Sequence, residues 1–177
     1  RKVAPAAVEM DPDAAARIVI KVGGRVLSLV LIGRYLLREI MSRQSHRARA
    51  ALDRVLSTEE WLPGRELAND GQISISDSIA ISDDALDLLT RSALYALSVF
   101  PAKPNTFSED AALVVSDVPI EVLNSLVDSW LVESAGDGRY MLHQSVARYA
   151  ERKRPDSIPL QRMVDYFKGY VESHQSE

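Results

Sequence analysis

The 177 residues are 46% apolar and 26% charged, enough apolar material for one globular domain or two small ones. The longest apolar run, residues 26–33, is too short to cross a membrane, and the early acidic and prolyl residues do not form a secretory signal. The absence of cysteine excludes disulfides and thiol chemistry, and it fits a reducing compartment. We therefore expect a cytoplasmic protein. Because its first residue is Arg, we also expect a fragment of a longer chain.

Charge is unevenly distributed although the net charge is only −4. Residues 104–138 contain no Lys or Arg but several Asp and Glu, so this surface should repel polyanions. Arginines crowd residues 34–54 instead. A solvated helix face explains most runs of this kind, and a partner-docking or phosphate-facing patch is the alternative.

The N-terminal part reads as three helices. Asp11-Pro12-Asp13 is typical of a helix start, and the helix that follows should bury one face and end at Gly23-Gly24. The predicted buried residues are Ala14, Ile18 and Val22. A second helix over residues 26–42 has a broad apolar stripe, and a more polar helix continues over residues 43–56.

A domain boundary is predicted where apolar content falls, over residues 65–78, near the turn signal Asn69-Asp70-Gly71. We divide the chain into a helical subdomain (1–66), a second subdomain (67–153), and a linker with one further helix (154–177). Residues 73–76 alternate like a strand. A helix through Ile79 is preferred because no second strand follows nearby.

The second subdomain has the order of a winged helix. A helix over residues 83–100, capped by Ser82-Asp83-Asp84, is followed by helices over 109–115 and 120–129. Two strands, 130–133 and 139–142, flank a loop of about five residues, and a helix runs to Arg152. The inward residues of the first helix are predicted to be Leu86, Leu89, Leu94, Leu97 and Val99.

The predicted fold is therefore mainly α: a small helical subdomain, a winged-helix domain with one β-hairpin, and a terminal helix. The terminal helix, from Pro159 to Ser173, is amphipathic. It has no evident partner within this chain, and it looks like the first half of a helical repeat.

His143 is the candidate functional side chain because it lies where the hairpin gives way to a helix. Rigid elements on both sides would hold the ring, while the ring could still point out of the core and contact a phosphate or carboxylate. The alternative is a core histidine whose hydrogen bonds are satisfied at the strand-helix corner. For Gly23-Gly24 the alternative is a simple helix C-cap, which is compatible with a functional role.

Two stretches carry a family resemblance. Residues 15–29, with Gly23-Gly24, resemble the Gly-Leu-Pro-Leu segment of the NB-ARC class of signal-transduction (STAND) P-loop ATPases. Residues 97–101, 122–132 and 140–144 are similar to the winged-helix subdomain of that family with its Met-His-Asp motif. The likeness covers residues 12–153, and residues 161–170 are similar to the helix that leads into tetratricopeptide repeats.

The resemblance implies a regulatory fragment that closes over ADP or ATP bound to an absent P-loop domain. It places Gly24 and Leu27 near the adenine and His143 on the ADP β-phosphate. Val26 replaces the proline of the first motif, and Gln144 replaces the acidic residue of the second. The implied partners are the chain's own upstream P-loop domain and downstream helical repeats, with homo-oligomerisation on activation.

No P-loop, metal-ligand spacing or nucleophile-base arrangement occurs in the sequence, so we expect no catalytic or metal site and no hydrolysis by this piece alone. A winged-helix transcription regulator is one alternative, but residues 119–129 offer Asn124 and acids rather than basic side chains, which disfavours DNA. A protein-interaction scaffold that does not respond to nucleotide is the other alternative. No membrane partner is expected.

Overall fold

The computed structural model describes residues 8, 11–41, 45–57 and 72–174. Contacts divide the chain into two compact units, Arg1–Ala85 and Leu86–Glu177. The boundary predicted between residues 66 and 67 lies outside the described residues. The helix Ile75–Asp84 groups with the first unit.

Within its described residues, the first unit contains the helices α1 (Pro12–Lys21), α2 (Val26–Met41), α3 (Ser45–Leu56) and α4 (Ile75–Asp84). The longest of them, α2, packs against both α3 and α4, while α1 packs against α3. Their shared core consists of aliphatic side chains and one tyrosine: Ala14, Ile18, Val22, Ile32, Tyr35, Leu36, Ala51, Leu52, Val55, Ile73 and Ile81. Removing these apolar surfaces from water is the main source of stability of this unit.

The start of α1 follows the prediction. The Asp11 carboxylate accepts a hydrogen bond from the Ala14 N–H at 2.8 Å, and Pro12 occupies the first helical position, where its missing N–H costs nothing. Ala14, Ile18 and Val22 are buried as predicted. The cap and the apolar spacing therefore define this helix locally.

Residues 73–76 do not form a strand. Ser74 caps α4 through a capping box, in which the Ser74 Oγ accepts from the Asp77 N–H at 3.0 Å and the Asp77 carboxylate accepts from the Ser74 N–H at 3.2 Å. The predicted preference for helix is confirmed. Asp83, by contrast, is buried within α4 and does not cap the next helix, so that part of the prediction is wrong.

The second unit contains α5 (Leu88–Leu97), β1 (Phe107–Ser108), α6 (Glu109–Ser116), α7 (Ile120–Asp128), β2 (Glu133–Gly136), β3 (Arg139–Met141), α8 (Gln144–Lys153) and α9 (Ile158–His174). The strands form an antiparallel sheet in the order β1-β3-β2. The order of helices and strands from α5 to β3 is that of a winged helix. The predicted fold class, mainly α with a β-hairpin, is confirmed.

The helix α5 begins five residues later than predicted. Asp87 is its N-cap, with the Asp87 Oδ1 accepting from the Thr90 N–H at 2.9 Å and the Asp87 Oδ2 accepting from the Thr90 hydroxyl at 2.7 Å. The predicted start at residue 83 lies at the end of α4 instead. The chain forms two separate helices here, because α4 begins at the N-cap Ser74 and α5 begins at the N-cap Asp87. Leu94 and Leu97 are buried as predicted, but Leu89, in the first turn of α5, is exposed.

The hairpin also differs in detail from the prediction. The first strand begins at Glu133, because Trp130 turns the chain with a φ of +62°. The connection is the two-residue turn Asp137-Gly138, with φ of +51° and +65°, rather than a five-residue loop. Positive φ at both positions matches the right-handed twist of the two strands, and Asp-Gly tolerates it. The short strand β1, which extends the sheet, was not predicted.

An aromatic stack connects β1 to the remainder of the core. The Phe100 and Phe107 rings lie 4.4 Å apart between centroids, and the Phe107 and Tyr140 rings lie 6.5 Å apart. The Tyr140 hydroxyl donates to the Glu109 carboxylate at 2.8 Å. This hydrogen bond, together with burial, raises the pKa of the Tyr140 phenol. These side-chain contacts add to the short ladder between the two residues of β1 and β3.

The terminal helix α9 packs against α6, so the prediction that it has no partner within the chain is wrong. The Arg162 guanidinium meets the Asp117 carboxylate at 2.6 Å, next to the C-terminus of α6. The prediction missed this contact because the pairing residues lie 45 positions apart in the sequence. Within the described residues, no helix is both long enough and apolar enough to cross a membrane.

The cap of α5 predicts a pH dependence. Hydrogen bonds from the Thr90 N–H and hydroxyl lower the pKa of Asp87 in the folded protein. Because the folded pKa lies below the unfolded one, near 3.9, the stabilisation is complete above that value and is lost as pH falls through the folded pKa.

We expect Asp87→Asn, which keeps a capping oxygen, to cost about 0.5 kcal/mol at pH 6, a small value because Asp87 is exposed. Urea unfolding should show the difference from wild type shrinking as pH falls below about 4. A difference that stays constant or grows at low pH would contradict this assignment.

Candidate functional site

The predicted site residues Gly24 and Leu27 belong to the first unit, and His143 belongs to the second. Gly24 lies in the turn between α1 and α2, and Leu27 lies in the first helical turn of α2. Gly24 is exposed and Leu27 is half-buried. Gly24 and Leu27 are therefore neighbours at the start of α2.

The turn Gly23-Gly24 closes α1 as predicted, with φ of +61° and +68°. Two consecutive residues in the left-handed region favour glycine, because a Cβ there crowds the following carbonyl oxygen. Residue 72 approaches closely: a Cβ on Gly23 would lie 1.9 Å from the Gln72 Oε1. A Cβ on Gly24 would meet nothing within 4 Å.

Residue 73 attaches the returning chain to this turn. The Ile73 N–H donates to the Lys21 carbonyl at 2.7 Å, and the Arg25 guanidinium donates to the Ile73 carbonyl at 3.2 Å. The Ile73 side chain is fully buried. The turn therefore has a structural role. Gly23-Gly24 ends α1, as the C-cap alternative predicts.

Three apolar side chains near this turn are exposed. Val26, which replaces the proline of the resembled motif, is 76% exposed, and Ile20 is 74% exposed. Val19 is half-exposed on the neighbouring turn of α1.

His143 is the N-cap of α8. Its Nδ1 accepts a hydrogen bond from the Ser145 N–H at 3.1 Å, and its carbonyl accepts from the Ala147 N–H at 2.9 Å. A nitrogen that accepts has no proton, so the proton of the neutral ring is on Nε2. The half-buried ring is therefore fixed by the cap and has Nε2–H as its donor.

The loop before β1 supports the same corner. The Lys103 N–H donates to the Leu142 carbonyl at 2.9 Å, and the Gln144 side-chain amide donates to the Lys103 carbonyl at 3.5 Å. The Lys103 ammonium lies 2.6 Å from the Glu133 carboxylate at the start of β2. An amide at residue 144 can donate to a carbonyl, which the carboxylate expected from the resembled motif cannot.

Neither Lys103 nor Glu133 was predicted to be a neighbour of the His143 corner. The position of Lys103 between Pro101 and Pro104 is the one signal that could have marked this loop as rigid. Its pairing with β2 and with Leu142 is tertiary, and no local pattern encodes it.

A cleft of about 480 Å³ lies between α1 and α3. It is lined by both signs of charge over an apolar floor: Asp11, Asp13, Ala14, Arg17, Arg49, Leu52, Asp53 and Leu56. In the part of the chain that the structure describes, no group of three or more His, Cys, Asp or Glu side chains is placed to hold a metal ion. The mixed charges do not single out an anion or a cation as the occupant.

Comparison with known proteins identified no relative. A scan against protein-family models, a search of curated proteins and a search of solved structures each found no match. The assignment of function therefore depends on the residues themselves.

The geometry of His143 predicts separable effects of two substitutions. We expect His143→Ala to lower the free energy of unfolding by about 1 kcal/mol, because the Ser145 N–H loses its acceptor. His143→Asn should cost much less, since asparagine is among the strongest N-caps. Urea unfolding monitored by circular dichroism measures both. Equal losses for the two variants would show that the imidazole does not act as the cap.

The glycine turn predicts a second pair of effects. Both Gly23→Ala and Gly24→Ala should cost about 1–2 kcal/mol, because alanine is strained at positive φ. Gly23→Ala should cost at least as much as Gly24→Ala, since the Gln72 side chain must move.

Gly169→Ala is the control, because Gly169 lies in α9 with open space around its Cα. It should show no loss in the same urea titration. A loss at Gly169 as large as at Gly24 would contradict the role of backbone conformation.

Proposed function

We propose that this chain is the regulatory part of a nucleotide-switched signalling ATPase, in which its two units close over ADP or ATP held by a separate P-loop domain. The observation that carries the proposal is the hydrogen bond from the Ser145 N–H to the His143 Nδ1, which leaves Nε2–H as the donor of a half-buried residue at a helix start. A donor with a set direction suits a terminal phosphate oxygen. The winged-helix order and the resemblance of residues 140–144 agree with it.

The proposed switch works through differential contact. ADP presents its β-phosphate to the His143 Nε2–H in a closed state, and loss of that contact favours an open state that forms a homo-oligomer. A ligand shifts such an equilibrium only by its difference in affinity for the two states. Gly24 and Leu27 are proposed to lie near the adenine, and the exposed Val26 and Ile20 are apolar surface available to the nucleotide-binding domain.

Downstream helical repeats are the second proposed partner. On α9, four exposed side chains follow the i, i+4, i+7, i+11 spacing of one helix face: Leu160, Val164, Phe167 and Val171. A stripe of this spacing is the kind of surface that a neighbouring helix covers. It supports the expectation that a tetratricopeptide-type helix follows, although α9 itself packs on α6.

A DNA-binding function is the second candidate, because the fold is a winged helix. The helix α7 would have to enter the major groove. Its exposed side chains include Glu121, Asn124 and Asp128, and residues 104–138 contain no Lys or Arg. Acids facing phosphates repel the duplex, and missing basic contacts remove the main source of affinity. Charge therefore favours the regulatory proposal over this one.

A nucleotide-independent scaffold is the third candidate. It uses the same fold and the same apolar surfaces and differs only in its indifference to nucleotide. The two functions differ in their use of His143. A scaffold needs only its Nδ1, which caps the helix, whereas the nucleotide switch also needs its Nε2–H donor. Substitutions that keep the cap and remove the Nε2 donor therefore separate the two functions.

The test uses this chain joined to the P-loop domain that the proposal requires. Release of a fluorescent ADP analogue should be about tenfold faster or more in His143→Asn, because a hydrogen bond to a charged group is lost while the helix cap is kept. His46→Asn is the matched control, since His46 is exposed on α3.

Equal ADP release from wild type and His143→Asn would contradict the role of His143. A sequence upstream of Arg1 without Gly-x-x-x-x-Gly-Lys-Ser/Thr would contradict the whole proposal. Salt-sensitive binding of a DNA duplex by the 177-residue chain would favour the second candidate.

A further inference from the structure

The helix α9 is much less buried than the helix before it. In α8, four of ten residues are buried: Val146, Ala147, Tyr149 and Ala150. In α9, Pro159 is buried at the start, and Arg162, Met163 and Tyr166 are half-buried. Most of the other α9 side chains are exposed. Few side chains of this 17-residue helix are therefore buried.

The apolar side chains of α9 do not all contribute to that contact. Leu160, Val164, Phe167 and Val171 lie on a neighbouring stripe and are between 38% and 47% exposed. Because water already reaches this stripe, docking on α6 gains little from it. Separation of α9 from α6 would therefore expose little additional surface from this stripe.

An exposed ion pair joins the two helices. The Arg162 guanidinium and the Asp117 carboxylate lie 2.6 Å apart, with their side chains 37% and 71% exposed. Asp117 is held in the left-handed conformation, with φ of +56°, where it ends α6. A pair this accessible to water is weak and sensitive to salt.

We propose that α9 leaves and rejoins the surface of α6 as one unit while the winged-helix core stays folded, and that the Arg162–Asp117 ion pair is the latch of this motion. Most of the stability of a protein helix comes from tertiary packing, so the released helix also frays. Release uncovers the surface of α6 beneath it. The winged-helix unit thereby has two states, one with α9 packed on α6 and one with α9 released.

The experiment is native-state hydrogen exchange of the 177-residue chain, read at the amides of residues 163–167 in α9 and of residues 147–151 in α8. Protection factors should be lower in α9 and should fall further at 0.5 M sodium chloride. Asp117→Asn keeps the size and left-handed preference of residue 117, and it should speed exchange in α9 about twofold to fivefold. Exchange in α8 should not change.

Asp128→Asn is the matched control, since it removes an exposed acid from the end of α7. It should leave exchange in α9 unchanged. If the amides of α9 and α8 have equal protection factors with the same dependence on urea, α9 does not separate from α6 while the core stays folded, and the proposal is wrong. Identical α9 exchange in Asp117→Asn and Asp128→Asn would overturn the latch.

Discussion

One hydrogen bond, from the Ser145 N–H to the His143 Nδ1, determines what the strand-helix corner can do. It starts α8 and fixes the ring, and it assigns the ring proton to Nε2. The backbone bond from Lys103 to Leu142 holds the preceding residue in place. The structural and functional readings of His143 are therefore not exclusive, because the cap that satisfies one nitrogen leaves the other as a fixed donor.

The first unit depends on a comparable constraint at Gly23-Gly24. Positive φ at both glycines turns the chain from α1 into α2, and the same turn receives Gln72 and Ile73 as the chain returns. The backbone bond from Ile73 to Lys21 places a fully buried isoleucine in the core. Apolar side chains near the turn, Ile20 and Val26, remain exposed.

Local chemistry accounts for the parts of the fold that the sequence predicted. The Asp11 cap and the glycines that end α1 are encoded by adjacent residues, as is the change of period at His143. The start of α5 was misplaced because Asp83 and Asp87 are both plausible caps, and only burial of Asp83 in α4 distinguishes them. The strand β1 and the docking of α9 depend on partners distant in sequence, which periodicity cannot reveal. Of the candidate site, the corner at His143 was predictable, but its Lys103 support was not.

The position of the imidazole proton is the quantity on which the proposed function most directly depends. A long-range ¹H–¹⁵N correlation spectrum of the labelled 177-residue chain measures it, with His143→Asn identifying the signals. We predict that His143 is the Nε2–H tautomer with Nδ1 as a hydrogen-bond acceptor. A spectrum showing the Nδ1–H tautomer would contradict both the helix cap and the fixed phosphate donor.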